Sequence, residues 1–413
     1  MKTYQYANYD IPMSRSVLDN GLTVITAEVP SLLVSVHLGF AVGALEDGPQ
    51  RGIAHFLEHI LIEGAGRDGV HPYFRELIQR GAENQAFTNW SDTAYLASGF
   101  AADTESIIDA LMRIGFGVEL DFGNNIERER GVVAQEIADR NQGLGRRMYG
   151  WATRRFYPSQ PRLWGRIAGD LDSLKLIKSE DLFAHHRGLY KPSSAVIIVT
   201  GAVKHEAIVQ MVLERSVDVQ DIPAPSRPSI ARTIVRDTFR DRDVQEKTIL
   251  YFNAFPKIID QYRESVFFNM IVDHPFGLLM QKLRLQEGGV YQMGWNGGDG
   301  FMSHNEISIN APPALFDHIE EELVRCLERI SRGDIPDETW KTAMSQKRRH
   351  YATRPFTKET IRGRWLYERW LEGEIEVVDY GKFVLSSTRA DFAKMAVELL
   401  SRGPFGRLDL VRS

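Results

Sequence analysis

The stretch HFLEH places two imidazoles, His55 and His59, four residues apart with a carboxylate, Glu58, beside them. On a helix, at about 100° per residue, the two histidines fall within about 40° of each other on one face, so both can bind one divalent ion. Glu58 would then stand next to any water that such an ion holds, where a carboxylate can take up a proton and later return it. A site of that kind needs a third protein ligand from elsewhere in the chain. Taken alone, a histidine pair on a helix is more often structural than catalytic, so the surrounding elements and the rest of the chain have to carry the choice.

The pair lies in a run with Ile53, Ala54, Phe56, Leu57, Ile60 and Leu61, bounded by Gly52 and Gly64, which reads as a short, largely buried helix. Before it, residues 22–29 and 32–43 read as a hairpin of buried strands. After it come a helix over 72–81, a strand in TAYLASGFA, a helix in DTESIIDALMRIGFG with Asp103 as its N-cap, and a helix in IERERGVVAQEIADRNQG. Residues 193–203 read as an inner strand. Residues 216–233 are rich in Pro and Ser and poor in periodic hydrophobics, which predicts a boundary between domains at 1–220 and 232–413. The second half repeats the grammar, with strands in EKTILYFNAF and NEISINAP and helical spacing in RESVFFNMIVDHPFGLLMQKLRLQEG and LFDHIEEELVRCLERISRGD. The pattern predicts an α+β protein of two duplicated domains, each a mostly antiparallel sheet packed with helices.

Composition narrows the class. The chain has 413 residues, 43% hydrophobic and 25% charged, which is globular and large enough for two cores. Its 50 basic and 55 acidic residues form no long block of one sign, so neither a nucleic-acid partner nor a membrane surface is expected. With Cys326 the one cysteine, there is no internal disulfide, and a metal site has to be built from His and carboxylates. The first residues lack an apolar segment of signal-peptide type, so a cytoplasmic location is expected. His185 and His186 are adjacent and face different directions on a helix, so they read as partly exposed structure and not as ligands. Arg146, Arg147, Arg154 and Arg155 read as a solvated or carboxylate-paired face.

The segment VGALEDGPQRGIAHFLEHILIEGA resembles the inverzincin peptidases of the pitrilysin, insulin-degrading enzyme and mitochondrial processing peptidase family, peptidase family M16. The resemblance implies a LuxS/MPP-like metallohydrolase fold and one Zn²⁺ per active site, held by His55, His59 and a distant glutamate, which the family's spacing puts at Glu136 in ERERGVVAQEI. Glu129 lies seven residues before Glu136, about two turns and nearly the same face, so it can orient a ligand histidine; in the family a glutamate at this offset is an accessory active-site residue. GAENQAFTNWSDTAYLASG is similar to the family's substrate-binding edge strand, implying that Gln85, Ala86, Phe87 and Thr88 pair with an extended peptide, although Gln85 stands where the family usually has Asn. LRLQEGGVY resembles the family's Arg/Tyr segment and implies that Arg284 and Tyr291 hold the substrate carbonyl. HPFGLL, residues 274–279, departs from the glycine-rich sequence common before that segment.

These implications add up to a zinc metalloendopeptidase in which an activated water attacks the peptide and Glu58 is the general base. Large members of the family close a chamber from two halves, and this chain has the length of one half yet carries both the zinc motif and the Arg/Tyr pair. A homodimer is therefore expected, with a heterodimer formed with a related subunit as the alternative. Two other functions fit the same residues: a dedicated maturation protease for one peptide precursor, and a non-catalytic scaffold subunit of the same fold.

Overall fold

The computed structural model describes residues 2–8, 11–63, 71–117, 125–140, 143–215, 230, 232–255, 258–273, 275–298, 304–353, 359–371, 373, 380–403 and 405–413. It forms two units, and neither is one continuous piece of sequence: the first is residues 1–142, 165–228 and 356–378, the second 143–164, 229–355 and 379–413. The expected boundary region, 216–233, lies mostly outside the described residues. The division differs from a single cut there because each half of the sequence lends a helical segment to the other unit.

The first unit contains β1 (Lys2–Asn8), β2 (Ile11–Val17), β3 (Thr23–Glu28), β4 (Leu33–Phe40), β5 (Glu83–Thr88), β6 (Thr93–Phe100) and β7 (Ala195–Gly201) in one sheet, ordered β1-β2-β3-β7-β4-β6-β5. Its helices are α1 (Ile53–Ile62), α2 (Pro72–Gln79), α3 (Thr104–Phe116), α4 (Asn125–Arg140), α6 (Leu171–Leu176), α7 (Ser179–Leu189) and α8 (His205–Leu213), while α5 (Gly143–Phe156) belongs to the second unit. The residues AVIIVTG of β7 are all buried. A β-branched run with no polar alternation suits a strand covered on both faces. β7 accordingly lies between β3, which it pairs in parallel, and β4, which it pairs antiparallel. β3 and β4 are therefore not the hairpin that their proximity in sequence suggests, because a strand from much later in the chain separates them.

One face of this sheet packs Val34, Val36, Leu38, Phe40 and Tyr95 against α1 and α3. The other face packs Ile25, Leu96, Val196 and Ile198 against Leu366 and Tyr367 of a late helix, Glu359–Leu371. The approach is close: a Cβ on Gly39 would lie 2.0 Å from the Tyr367 ring. Tyr367 donates toward Asp92 Oδ2 at 3.2 Å and Thr93 O at 3.3 Å, pinning this helix beside the β5–β6 turn.

The second unit holds β8 (Arg236–Arg240), β9 (Lys247–Asn253), β10 (Gln292–Gly298), β11 (His304–Asn310) and β12 (Gly406–Val411), ordered β10-β11-β9-β12-β8. Its helices are α5, α9 (Ile258–Val272), α10 (Leu278–Met280), α11 (Phe316–Ser331), α12 (Asp337–Thr353), α14 (Tyr380–Leu385) and α15 (Arg389–Ser401), and the late helix of the first unit is α13. The order and directions repeat β5-β6-β4-β7-β3: β12 pairs β8 in parallel and β9 antiparallel, as β7 does with β3 and β4. The duplication expected from the sequence pattern is thus present in topology, giving a mixed α+β fold of two sheets packed with helices. Phe239 and Leu410 pack against Leu144, Met148 and Trp151 of α5, the counterpart of α13 on the first sheet. Among the described residues, no helix is long and apolar enough to cross a membrane.

Local details depart from expectation in two places. Asp103 is the N-cap of α3, but its side chain makes no cap hydrogen bond and pairs with Arg80 at 2.9 Å. His185 and His186 on α7 are buried, not partly exposed, and burial lowers both to about 4. Neutral imidazoles fit that apolar packing. The arginine face of α5 is carboxylate-paired at Arg147, which bonds Asp241 and Asp243, and at Arg155, which bonds Asp237.

Candidate metal centre

α1 begins without a capping side chain, since Gly52 is its N-cap at φ 88. Asp47 supplies what the cap lacks: Oδ2 accepts from Gly52 N–H at 2.6 Å and Oδ1 from Ala54 N–H at 3.1 Å. These bonds satisfy two backbone donors that a helix start leaves free and fix where the HFLEH turn emerges. Sequence spacing did not single out Asp47; an acid a few residues before a glycine-started helix is the available signal.

His55 and His59 lie 4.8 Å apart between ring centres, and both direct Nε2 at Glu136 of α4. His55 Nε2 is 3.7 Å from Glu136 Oε1, and His59 Nε2 is 3.4 Å from Oε2. One ligand atom from each of the three falls within 4.8 Å of the others, so two nitrogens and one oxygen converge on a common point. Glu129 approaches from the same face of α4, with Oε2 3.8 Å from His59 Nδ1, the side of the ring away from that point. The two-turn separation of Glu129 and Glu136 places both carboxylates beside the His59 ring.

Electrostatics suit a cation. Burial, with the neighbouring His59, lowers His55 to about 4, leaving a neutral ring with a free lone pair. Contact with His59 holds Glu136 down at about 2, against burial and with help from His55 and Arg140. For His59, burial opposes protonation, but Glu136, Glu58 and Glu129 outweigh it and raise the pKa. His55 Nδ1 is buried and has no hydrogen-bond partner among the described residues. Two imidazoles and one carboxylate are the donor set of a zinc site with an open position, and the residues present fit such an ion. Arg140, one turn after Glu136, contacts Oε1 at 2.5 Å. Its i+4 spacing on α4 is the sequence signal for that contact.

Glu58 is buried and points to β5, where Thr88 Oγ1 donates to its Oε2 at 2.8 Å. Burial raises the carboxyl above its ordinary range, and the Thr88 bond pulls it part of the way back. β5 is an edge strand paired to β6 alone among the described residues. Asn89 N–H donates to Asp92 O at 2.7 Å, and Glu83, Gln85 and Phe87 lie opposite Ser98, Leu96 and Ala94. By the alternation of antiparallel ladders, the peptide groups of Asn84, Ala86 and Thr88 face the open edge. Of the four expected strand residues, Ala86 and Thr88 put their side chains on the α1 face, and Gln85 and Phe87 on the α13 face. Arg284 and Tyr291 belong to the second unit. Arg284 sits in a π-helical turn, 281–286, and Tyr291 precedes β10 with its side chain exposed. His274 of the HPFGLL segment lies outside the described residues.

Residues 23–149 match the model of Insulinase (Peptidase family M16), and residues 177–347 match that of the Peptidase M16 inactive domain. The chain belongs to peptidase family M16. Its curated relatives include the mitochondrial-processing peptidase subunit beta of Lentinula edodes, 30% identical over 198 residues, which are 48% of this chain and 42% of that protein. The uncharacterized zinc protease YmfH of Bacillus subtilis is 31% identical over 190 residues, 45% of this chain and 41% of the relative. The M16 chain thus spans less than half the length of the curated relatives it matches. Among solved structures, a protease from Helicobacter pylori superposes with a TM-score of 0.78 at 16% identity, covering 96% of this chain and 98% of that one. An M16-like peptidase from Alicyclobacillus acidocaldarius gives 0.73 at 22% identity, covering 98% and 99%. These two share the fold. Within the M16 chain, α9 follows β9 as α1 follows β4, and its IIDQYRESVFFNMIV contains no histidine, in keeping with the name of the second matched model.

Proposed function

We propose that this chain is a zinc-dependent endopeptidase acting on extended peptides, with Glu58 as general base. The observation that carries the reading is the convergence of His55, His59 and Glu136 within 4.8 Å, beside a buried carboxylate held by Thr88. His55, His59 and Glu136 would hold a Zn²⁺ ion, which would supply Lewis acidity toward a water and the peptide carbonyl. Glu58 accepts the proton from the attacking water and passes it to the departing amine. Burial raises its pKa, which makes Glu58 a stronger base toward that water than an ordinary carboxylate. Glu129, beside His59 Nδ1, would keep that ring turned with Nε2 toward Glu136. The open edge of β5 pairs with the peptide backbone through Asn84, Ala86 and Thr88, which favours unfolded segments over folded ones.

Arg284 and Tyr291 offer a guanidinium and a phenol to the substrate carbonyl. We assign them to a site shared by two copies of the chain, each giving its second unit to the other's metal centre. Light scattering on the active protein tests this: a dimer is expected, and a monomer with full activity overturns the shared site. A heterodimer with a related subunit is the outcome if the pure chain is inactive and a second subunit restores turnover. Digestion of a mixed peptide library, with and without chelator, tests the activity. Chelator-sensitive cleavage of many peptides supports the proposal, cleavage of one peptide points to a dedicated maturation protease, and no cleavage with added Zn²⁺ points to a scaffold.

A further inference from the structure

The α13 face of the β5 edge carries a cavity of about 400 Å³, lined by Leu33 and Leu96 on the sheet, Glu83, Gln85 and Ser98 along the edge, and Glu359 at the start of α13. It lies on the opposite side of the sheet from Glu58. The metal centre therefore does not use it, and a peptide laid along β5 would pass its rim.

Strand parity decides which peptide residues reach it. A residue paired opposite Thr88 or Ala86 turns its side chain toward α1, and one opposite Gln85 or Glu83 turns it toward the cavity. At about 3.4 Å per residue, the cavity-facing positions lie about 10 and 17 Å along the strand from Thr88. The walls combine aliphatic side chains with two carboxylates, and no basic residue is among the described lining residues. Glu359 accepts from Ser31 through Oε1, which holds it at the mouth. A long aliphatic stem ending in a cation matches such walls: the stem lies on the leucines and the charged end meets the carboxylates.

We propose that this cavity is a specificity subsite for a lysine or arginine side chain of the peptide, three or five residues from the position paired with Thr88. The proposal rests on the endopeptidase reading above, because it needs a peptide on the β5 edge. The test uses the full-length Glu58→Gln protein loaded with Zn²⁺ and fluorescently labelled neutral decapeptides, read by anisotropy. A single lysine is walked through each position and compared with norleucine at the same place. Lysine should bind about fivefold more tightly than norleucine at the cavity-facing positions and not at their neighbours. The preference should shrink with added salt and disappear in the Glu83→Gln/Glu359→Gln double variant, whose thermal melt reports its folding. Equal affinity for lysine and norleucine at every position overturns the subsite and leaves the endopeptidase standing. Failure of every peptide to bind overturns both.

Discussion

Thr88 Oγ1 donates a 2.8 Å hydrogen bond to Glu58 Oε2, tying the last residue of the edge strand to the carboxylate between the two histidines. A donor aimed at a carboxylate favours its ionised form. Removing it in Thr88→Val leaves burial unopposed by that bond, so the Glu58 pKa rises further. The acidic limb of the kcat/KM profile against pH should move to higher pH, and Thr88→Ser should restore it. An unchanged profile in Thr88→Val would show that the bond does not tune the base.

Glu58→Gln keeps the acceptor for Thr88 but removes the proton carrier. Peptide hydrolysis should fall by roughly 10²–10⁴ while Zn²⁺ still binds, measured as metal content against turnover. The same substitution has a stability consequence in the metal-free protein. A buried acid whose folded pKa lies above its ordinary 4.5 costs stability once it ionises, and that cost is absent below 4.5, where both states are protonated. Metal-free Glu58→Gln should therefore melt at a higher temperature than wild type near pH 8, with the difference closing as pH falls through the folded pKa toward 4.5. A gap independent of pH would rule out ionisation as its source.

Glu129→Gln should weaken Zn²⁺ binding by roughly 10–100-fold without abolishing it, because the three ligands remain and only the orientation of His59 loses support. Glu136→Gln should go further and leave the purified protein without stoichiometric metal. Competition titration with a zinc-binding dye separates the two, and equal affinities for wild type and Glu129→Gln would remove Glu129 from that role.

Asp47→Ala takes away both backbone contacts at the start of α1. A loss of about 1 kcal/mol or somewhat more is expected by chemical denaturation, with Asp47→Asn closer to wild type because its carbonyl oxygen still accepts one bond. A loss below about 0.3 kcal/mol would mean that packing alone sets the start of α1.

The chemistry was more legible in the sequence than the pairing of the strands. His55, Glu58 and His59 announce themselves by spacing, and the family's spacing carries that to Glu136, because a helix turns adjacent positions into a fixed geometry. The partner of a strand is not encoded locally. The apolar runs of β3 and β4 identify two buried strands, yet nothing in either says that β7 will enter between them. The contact from Thr88 to Glu58 was hidden for the same reason, since it joins a strand to a helix across a gap no periodicity spans. Asp103 shows a local preference giving way: a good cap residue at the cap position bonds Arg80 instead. α13 is the largest omission, because nothing in its own sequence says that Leu366 and Tyr367 belong to a sheet made almost entirely by the first half.

The trade of α5 for α13 bears on how such a chain can be handled and how it could have arisen. Severing it within residues 216–228 would not release two self-sufficient fragments, since each would leave behind a helix that shields the other's sheet. Separately produced fragments should be insoluble and become soluble only when made together. Two ancestral copies that had already swapped one helix apiece, then fused end to end, would leave this connectivity.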